Sequence, residues 1–201
     1  PHFTVVPWTK GWLQLKGDFA VGRSFDKHTL ERFAGERETY IYNVLWHHKS
    51  LAVQIKNTRH GFPLAAQIGV NHWAQWGGTS NNPKIGTQPH AFKDFIRVVF
   101  GKSGDSQATI SDQVNVLGAH YGTYDFKLSY LHSDWQFSAY YQHYFNDLSG
   151  MVFENNLDGL WGGELSLKHI SWLKKVAIEY MTTRNQSGPF HFIWFDHEKH
   201  P

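Results

Sequence analysis

The stretch "LAAQIGVNHWAQW", Leu64 to Trp76, decides how this chain is read. In an extended chain Leu64, Ala66, Ile68, Val70, His72, Ala74 and Trp76 share one side, and Ala65, Gln67, Gly69, Asn71, Trp73 and Gln75 the other. The spacing predicts a strand with one greasy face and one amide-rich face. In a soluble sandwich the greasy face packs on a second sheet and the polar face meets water. In a membrane barrel the apolar face meets lipid and the polar face lines the interior.

The same alternation recurs along the chain. Leu13, Leu15, Phe19 and Val21 oppose Trp12, Gln14, Lys16 and Asp18, and Leu51, Val53 and Ile55 oppose Ala52, Gln54 and Lys56. Further on, Phe126, Leu128 and Tyr130 oppose Lys127 and Ser129, and Phe137, Ala139 and Tyr141 oppose Gln136, Ser138 and Gln142. Leu165 and Leu167 then oppose Glu164, Ser166 and Lys168, and Val176, Ile178 and Tyr180 oppose Ala177 and Glu179. About ten or eleven strands are expected from this period. Short breaks at His47–Ser50, His132–Asp134 and Ile170–Lys175 have hairpin spacing. Longer polar connections are expected at Arg23–Glu38, Gly77–Lys93, Gly101–Asp112 and Asn146–Trp161, with one helix within "DKHTLERFAGERE". Tight turns alternating with long loops are the asymmetry of an outer-membrane barrel. Strands approaching ten residues, rings near strand ends and amides on the second face favour that class; His72 and the Lys and Glu near strand ends weigh against it.

Composition narrows the function. Across 201 residues, 19 Lys and Arg balance 17 Asp and Glu, so the formal charge of +2 supports neither a nucleic-acid partner nor a polybasic membrane anchor. Aromatic residues reach 16% while the apolar total is only 41%, so the rings have a special placement to explain. Without cysteine the chain builds no disulfide, thiolate metal site or thiol nucleophile. No apolar run is long enough for a membrane helix, which leaves strands as the only means of crossing.

Catalytic patterns are weak. In "HEKH", His197 and His200 are one residue short of the spacing that seats two imidazoles on one helical face, and His47 and His48 point to opposite sides of a strand. "GKSGD", Gly101 to Asp105, lacks the second spacing of a nucleophile elbow. Asp147, Glu154, Asp158 and Glu164 lie close along the chain, but Asp147 and Asp158 stand in turn contexts. No phosphate-binding glycine loop is present. The expectation is therefore no enzyme, no cofactor and no metal. Trp76, on the apolar side, reads as an interfacial anchor. Trp73 lies among Gln67, Asn71 and Gln75, and flat rings beside amides suit a sugar: stacking for its apolar face, hydrogen bonds for its hydroxyls. Asn71, Trp73 and Gln75 are candidate polysaccharide contacts, joined by Asn155, Asp158 and Trp161 in the aromatic, amide-rich segment further on.

Three long stretches carry a family likeness: "HWAQWGGTS" at His72 to Ser80, "FKDFIRVVFGKSG" at Phe92 to Gly104 and "YFNDLSGMVFENNLDGLWGGELSLK" at Tyr144 to Lys168. Together they resemble the Wzi-like capsule-assembly family of Gram-negative outer-membrane proteins, over nearly all of Gly11 to Phe195. The resemblance implies an antiparallel up-and-down transmembrane β-barrel in the bacterial outer membrane, lectin-like and holding capsular or other surface polysaccharide to the cell. Its partners would be that polysaccharide, outer-membrane lipid and other outer-membrane proteins. Family chains are much longer and end in an aromatic strand that "FDHEKHP" lacks, so residues 1–201 are expected to be a single barrel region, part of a larger barrel of many strands. A porin-like channel and a soluble β-sandwich that binds carbohydrate are the alternative readings.

Overall fold

The computed structural model describes residues 2–35, 38–56, 61–146 and 148–185. His197, His200 and Asp147 lie outside them. The chain is all-β and mostly antiparallel. After β1 (Thr4–Val5) come β2 (Leu13–Arg23), the short helix α1 (Lys27–Phe33), β3 (Ile41–Tyr42), β4 (Leu45–Lys56) and β5 (Leu64–Trp76). Then follow β6 (Thr79–Ser80), α2 (Phe92–Val99), α3 (Ile110–Val114), β7 (Ala119–Leu131), β8 (Trp135–Phe145), α4 (Leu148–Met151), β9 (Gly159–Leu167) and β10 (Lys175–Thr182).

Eight strands form one sheet in the order β1-β2-β4-β5-β7-β8-β9-β10, and β3 and β6 pair separately beside it. With that small pair set aside, every strand neighbours the next in sequence, which is an up-and-down meander. The described strands do not close on themselves: β1 and β10 are the two edges. β5 spans the residues its alternation predicts.

Two expectations need correction. His47–Ser50 is not a turn but the middle of β4, where His47 pairs with Val21 and Ala74, and Ser50 with Asp18 and Asn71. A polar run reads as a break, yet both neighbouring ladders continue through it. The connections expected at 77–93 and 101–112 belong to one excursion between β5 and β7, because the run between them is helical: Asp94 accepts from the Ala91 amide at 2.9 Å at the helix start, and Gly101, with φ of 60°, supplies the left-handed residue that ends it. The helix expected in "DKHTLERFAGERE" is α1.

Register lines the rows up across the sheet. Leu15, Val53, Ile68, Phe126, Tyr141, Trp161 and Tyr180 form one row, and Gln14, Gln54, Gln67, Lys127, Tyr140, Gly162 and Glu179 the neighbouring row on the opposite face. The apolar face is the open one: Ile68 is 60% and Ile178 77% exposed, whereas Ser138 on the polar face is fully buried, bonded to Ser129 at 2.9 Å. That inverts the arrangement of a water-soluble sheet. The packed apolar cluster sits instead at one end of the sheet, where Ala74 and Trp76 of β5 meet Val98, Ala108 and Leu117, with Leu45 and Phe95 against them.

The ends differ in the way the alternation of loop lengths predicts. Connections 24–44, 77–118 and 146–158 all leave one end, while 57–63, 132–134 and 168–174 join the strands at the other. Turn His132–Asp134 is closed by the His132 amide donating to the Trp135 carbonyl at 2.9 Å.

Candidate functional site

On the polar face, near the end with the long connections, β5, β7 and β8 bring Asn71, Thr123 and Tyr144 into one row and Trp73 and Tyr121 into the next. Trp73, Tyr121, Thr123, Gln142 and Tyr144, with Phe145 and Asn146, line a cavity of about 550 Å³. Its size is that of a small-ligand cleft.

A chain of hydrogen bonds fixes the amides around this cup. Tyr144 donates to Gln142 at 2.6 Å, Gln142 donates to one oxygen of Asp125 at 2.7 Å, and Asn71 donates to the other at 2.5 Å and to Thr123 at 3.1 Å. Asp125 is thereby the anchor, with both carboxylate oxygens occupied by side chains from the two adjacent strands. Bonds linked in series polarise one another, and the groups around the cup are oriented before anything enters.

Trp73 is held from the side. The His48 imidazole stacks on its indole at 4.7 Å with planes 17° apart. His48 Nδ1 in turn lies 2.8 Å from Asp18, whose second oxygen accepts from Ser50 at 2.6 Å. One face of the indole is covered by histidine, and the side chain stays 37% exposed at the cup. A flat apolar surface next to fixed hydroxyl and amide groups is chemistry for a pyranose ring.

The six residues predicted from sequence do not all converge. Asn71, Trp73 and Gln75 share the polar face of β5. Asn155 and Asp158 are buried: Asn155 donates to the Tyr144 carbonyl at 3.1 Å, and Asp158 accepts from Thr182 at 3.1 Å and from the Asn185 amide. These bonds close the 146–158 connection and pin β10 to the start of β9. Trp161 is on the opposite, apolar face, stacked on Tyr141 at 4.2 Å with its N–H donated to the Leu157 carbonyl at 3.3 Å. Glu164 is bound by Lys175 at 2.9 Å and Lys127 at 3.8 Å, so it belongs to an ion cluster further along the polar face. Sequence reasoning missed His48, Tyr121, Thr123, Gln142 and Tyr144. Their signal was parity: extending the Lys127/Ser129 side of β7 backwards reaches Thr123 and Tyr121, and extending the Gln142 side of β8 reaches Tyr144.

The excursion above this end is clamped by charge. Asp105 binds Lys93 at 2.7 Å and Arg97 at 2.8 Å, and Arg97 also binds Asp94 at 3.1 Å. Lys93 first, then Arg97 and the Gln107 amide, hold the Asp105 carboxyl well below the usual carboxylate range. A lowered folded-state pKa means a contribution that is complete above the unfolded value of about 3.9 and lost as pH falls through the folded one. Asp105→Asn is expected to lower the protection of α2 amides against exchange at neutral pH, whereas wild type, after correction for the intrinsic exchange rate, is expected to keep that protection until pH falls below about 3.9; hydrogen exchange by mass spectrometry checks both.

Comparison with protein-family models, characterised proteins and solved structures finds no match for this chain.

Proposed function

We propose that this chain forms part of a transmembrane β-barrel of the bacterial outer membrane that binds capsular or other surface polysaccharide without catalysis. The observation that carries the reading is the inverted sheet: an apolar face left open over most of its extent and a polar face tied together by side-chain bonds. Lipid is the environment in which such a face is stable, and an antiparallel meander with long connections at one end is how barrels cross it. The likeness of three sequence stretches to the Wzi-like family points the same way and supplies the substrate class. The Trp73–Tyr121–Tyr144 cup offers the sugar contact. Repeated weak contacts along a polymer would add up through avidity, so no single deep pocket is required.

Fractionation and glycan binding test this reading. The protein is expected in the detergent-extracted outer membrane. In detergent, Trp73→Ala is expected to weaken binding of the cell's own surface polysaccharide by roughly 2–12-fold per site, the loss of an aromatic stacking contact worth about 0.5–1.5 kcal/mol. A monodisperse species in buffer without detergent would overturn the membrane reading in favour of a soluble carbohydrate-binding sheet. The row Gln14, Gln54, Gln67 and Lys127 supports a second reading, a water-filled channel. Solute flux in planar bilayers together with unchanged glycan binding in Trp73→Ala would favour the channel.

A further inference from the structure

The apolar face of the sheet is interrupted at one level. Above Leu51 and Val70, the same side of β4 and β5 carries Lys49 and His47, paired in register with His72 and Ala74, and His120 of β7 lies next to Ala74. Ionisable side chains on the lipid side of a barrel strand are costly. Here His47 is buried and Lys49, His72 and His120 are half-buried. Helix α2 lies across them: Phe95 packs on Phe19 at 6.3 Å, on His47 at 6.0 Å and on Trp76 at 5.8 Å, and Val98 is fully buried. Lys49 donates to the Val99 carbonyl at the helix C-terminus, where the helix dipole favours a cation. His72 and His120 bond to each other at 2.8 Å, and the His72 ring lies 6.2 Å from that of His47.

A helix laid over the lipid-facing side of a sheet must itself meet what that side meets. On α2 and its C-cap, Phe92, Ile96 and Phe100 recur four residues apart, so they form a stripe along one flank, exposed at 76%, 39% and 69%. Lys93 and Arg97 form the adjoining stripe and are turned to Asp105. That is the segregation of an interfacial helix. At the opposite end of the sheet, rings borne by strands and turns stand at the edge of the apolar band, with Trp12 against Phe62 at 5.5 Å and Tyr130 against Trp135 at 5.5 Å. Over β4 and β5, the corresponding level at the long-connection end carries His47, Lys49 and His72 on its strands.

We propose that α2 is a membrane-interface helix on the outside of the sheet: it covers His47 and Lys49 on the lipid side and presents Phe92, Ile96 and Phe100 to the headgroup–acyl boundary, supplying aromatic side chains where β4 and β5 carry His47, Lys49 and His72. The inference rests on the membrane reading above and goes beyond it in placing residues 92–100 in the bilayer rather than among water-exposed loops.

The absence of cysteine makes the test direct. Single variants Ile68→Cys, Ile96→Cys, Phe100→Cys and Ser106→Cys carry a nitroxide in the protein reconstituted into phosphatidylcholine–phosphatidylglycerol nanodiscs, and accessibility to oxygen and to a water-soluble nickel chelate is compared. Positions 96 and 100 are expected to favour oxygen over nickel several-fold more than position 106 and less than the deeper position 68. Positions 96 and 100 behaving like 106, with 68 still in lipid, overturns the helix proposal and leaves the barrel standing. Position 68 behaving like 106 overturns both. Heat-modifiable gel migration of each labelled variant identifies any that fails to fold, and for such a variant Phe92→Cys with the same nitroxide gives the readout: a preference for oxygen above that of position 106 supports the proposal, and a ratio equal to that of position 106 overturns it.

Discussion

With Ile68 and Val70 both replaced by lysine, the protein is expected to fail to assemble in the outer membrane and to lose heat-modifiable migration on gels. Ile68 sits between Val53 and Phe126, and Val70 between Leu51 and Tyr124, in the middle of the open apolar face. Each lysine on a lipid-facing strand costs about 2–4 kcal/mol at the bilayer midplane. Two of them consume much of the stability of a typical domain, about 5–15 kcal/mol. Gln67→Lys provides the contrast. Gln67 lies between Gln54 and Lys127 on the polar face, and that variant is expected to assemble normally. Normal assembly of the double mutant, or equal failure of Gln67→Lys, would contradict the assignment of the two faces.

Gly118→Ala is expected to unfold the junction between the long excursion and β7. Gly118 has φ of 86°, and a methyl group there would meet the Gln75 carbonyl oxygen at 2.4 Å and the Trp76 Cβ at 3.0 Å. The left-handed conformation alone costs an alanine about 1–3 kcal/mol. The contact adds to it, because the obstacle is backbone. Relieving it moves Trp76 against Leu117 and Val98, the packed cluster that seats α2. A fall in melting temperature with accelerated amide exchange in α2 is the expected result. Gly22→Ala is the control: Gly22 has open space where a methyl would go, and no change is expected. Wild-type stability in Gly118→Ala would show that this end of the sheet yields easily.

Why the sequence disclosed some of this and hid the rest follows from where each residue's environment is set. The alternation of β5 is legible because both neighbouring strands impose the same two faces along its length. His47–Ser50 was not legible as strand, because the features that make His47 and Lys49 acceptable on an apolar face, α2 and its Phe95, lie far along the chain. His72 weighed against a lipid-facing side for the same reason. Asn155 and Asp158 look like loop ligands in sequence, yet their partners Tyr144, Thr182 and Asn185 come from neighbouring elements that only folding brings near. The face of Trp161 is legible in the sequence, because it shares parity with Leu165 and Leu167, the greasy side of β9. The cup itself was half visible. Trp73 and Asn71 stood out as a ring beside an amide, whereas the anchoring role of Asp125 depends on register between β5, β7 and β8, which no local pattern reveals.

The placement of the long connections between the described strands at one end of the sheet has an evolutionary consequence. A segment lengthened there alters the approach to the Trp73–Tyr121–Tyr144 cup without shifting any strand against its neighbour, since the ladders are set by residue pairs within the strands. At the far end, where His132–Asp134 alone joins β7 to β8, an insertion would act on the hairpin directly. The surroundings of the cup can therefore diversify while the strand scaffold is inherited unchanged.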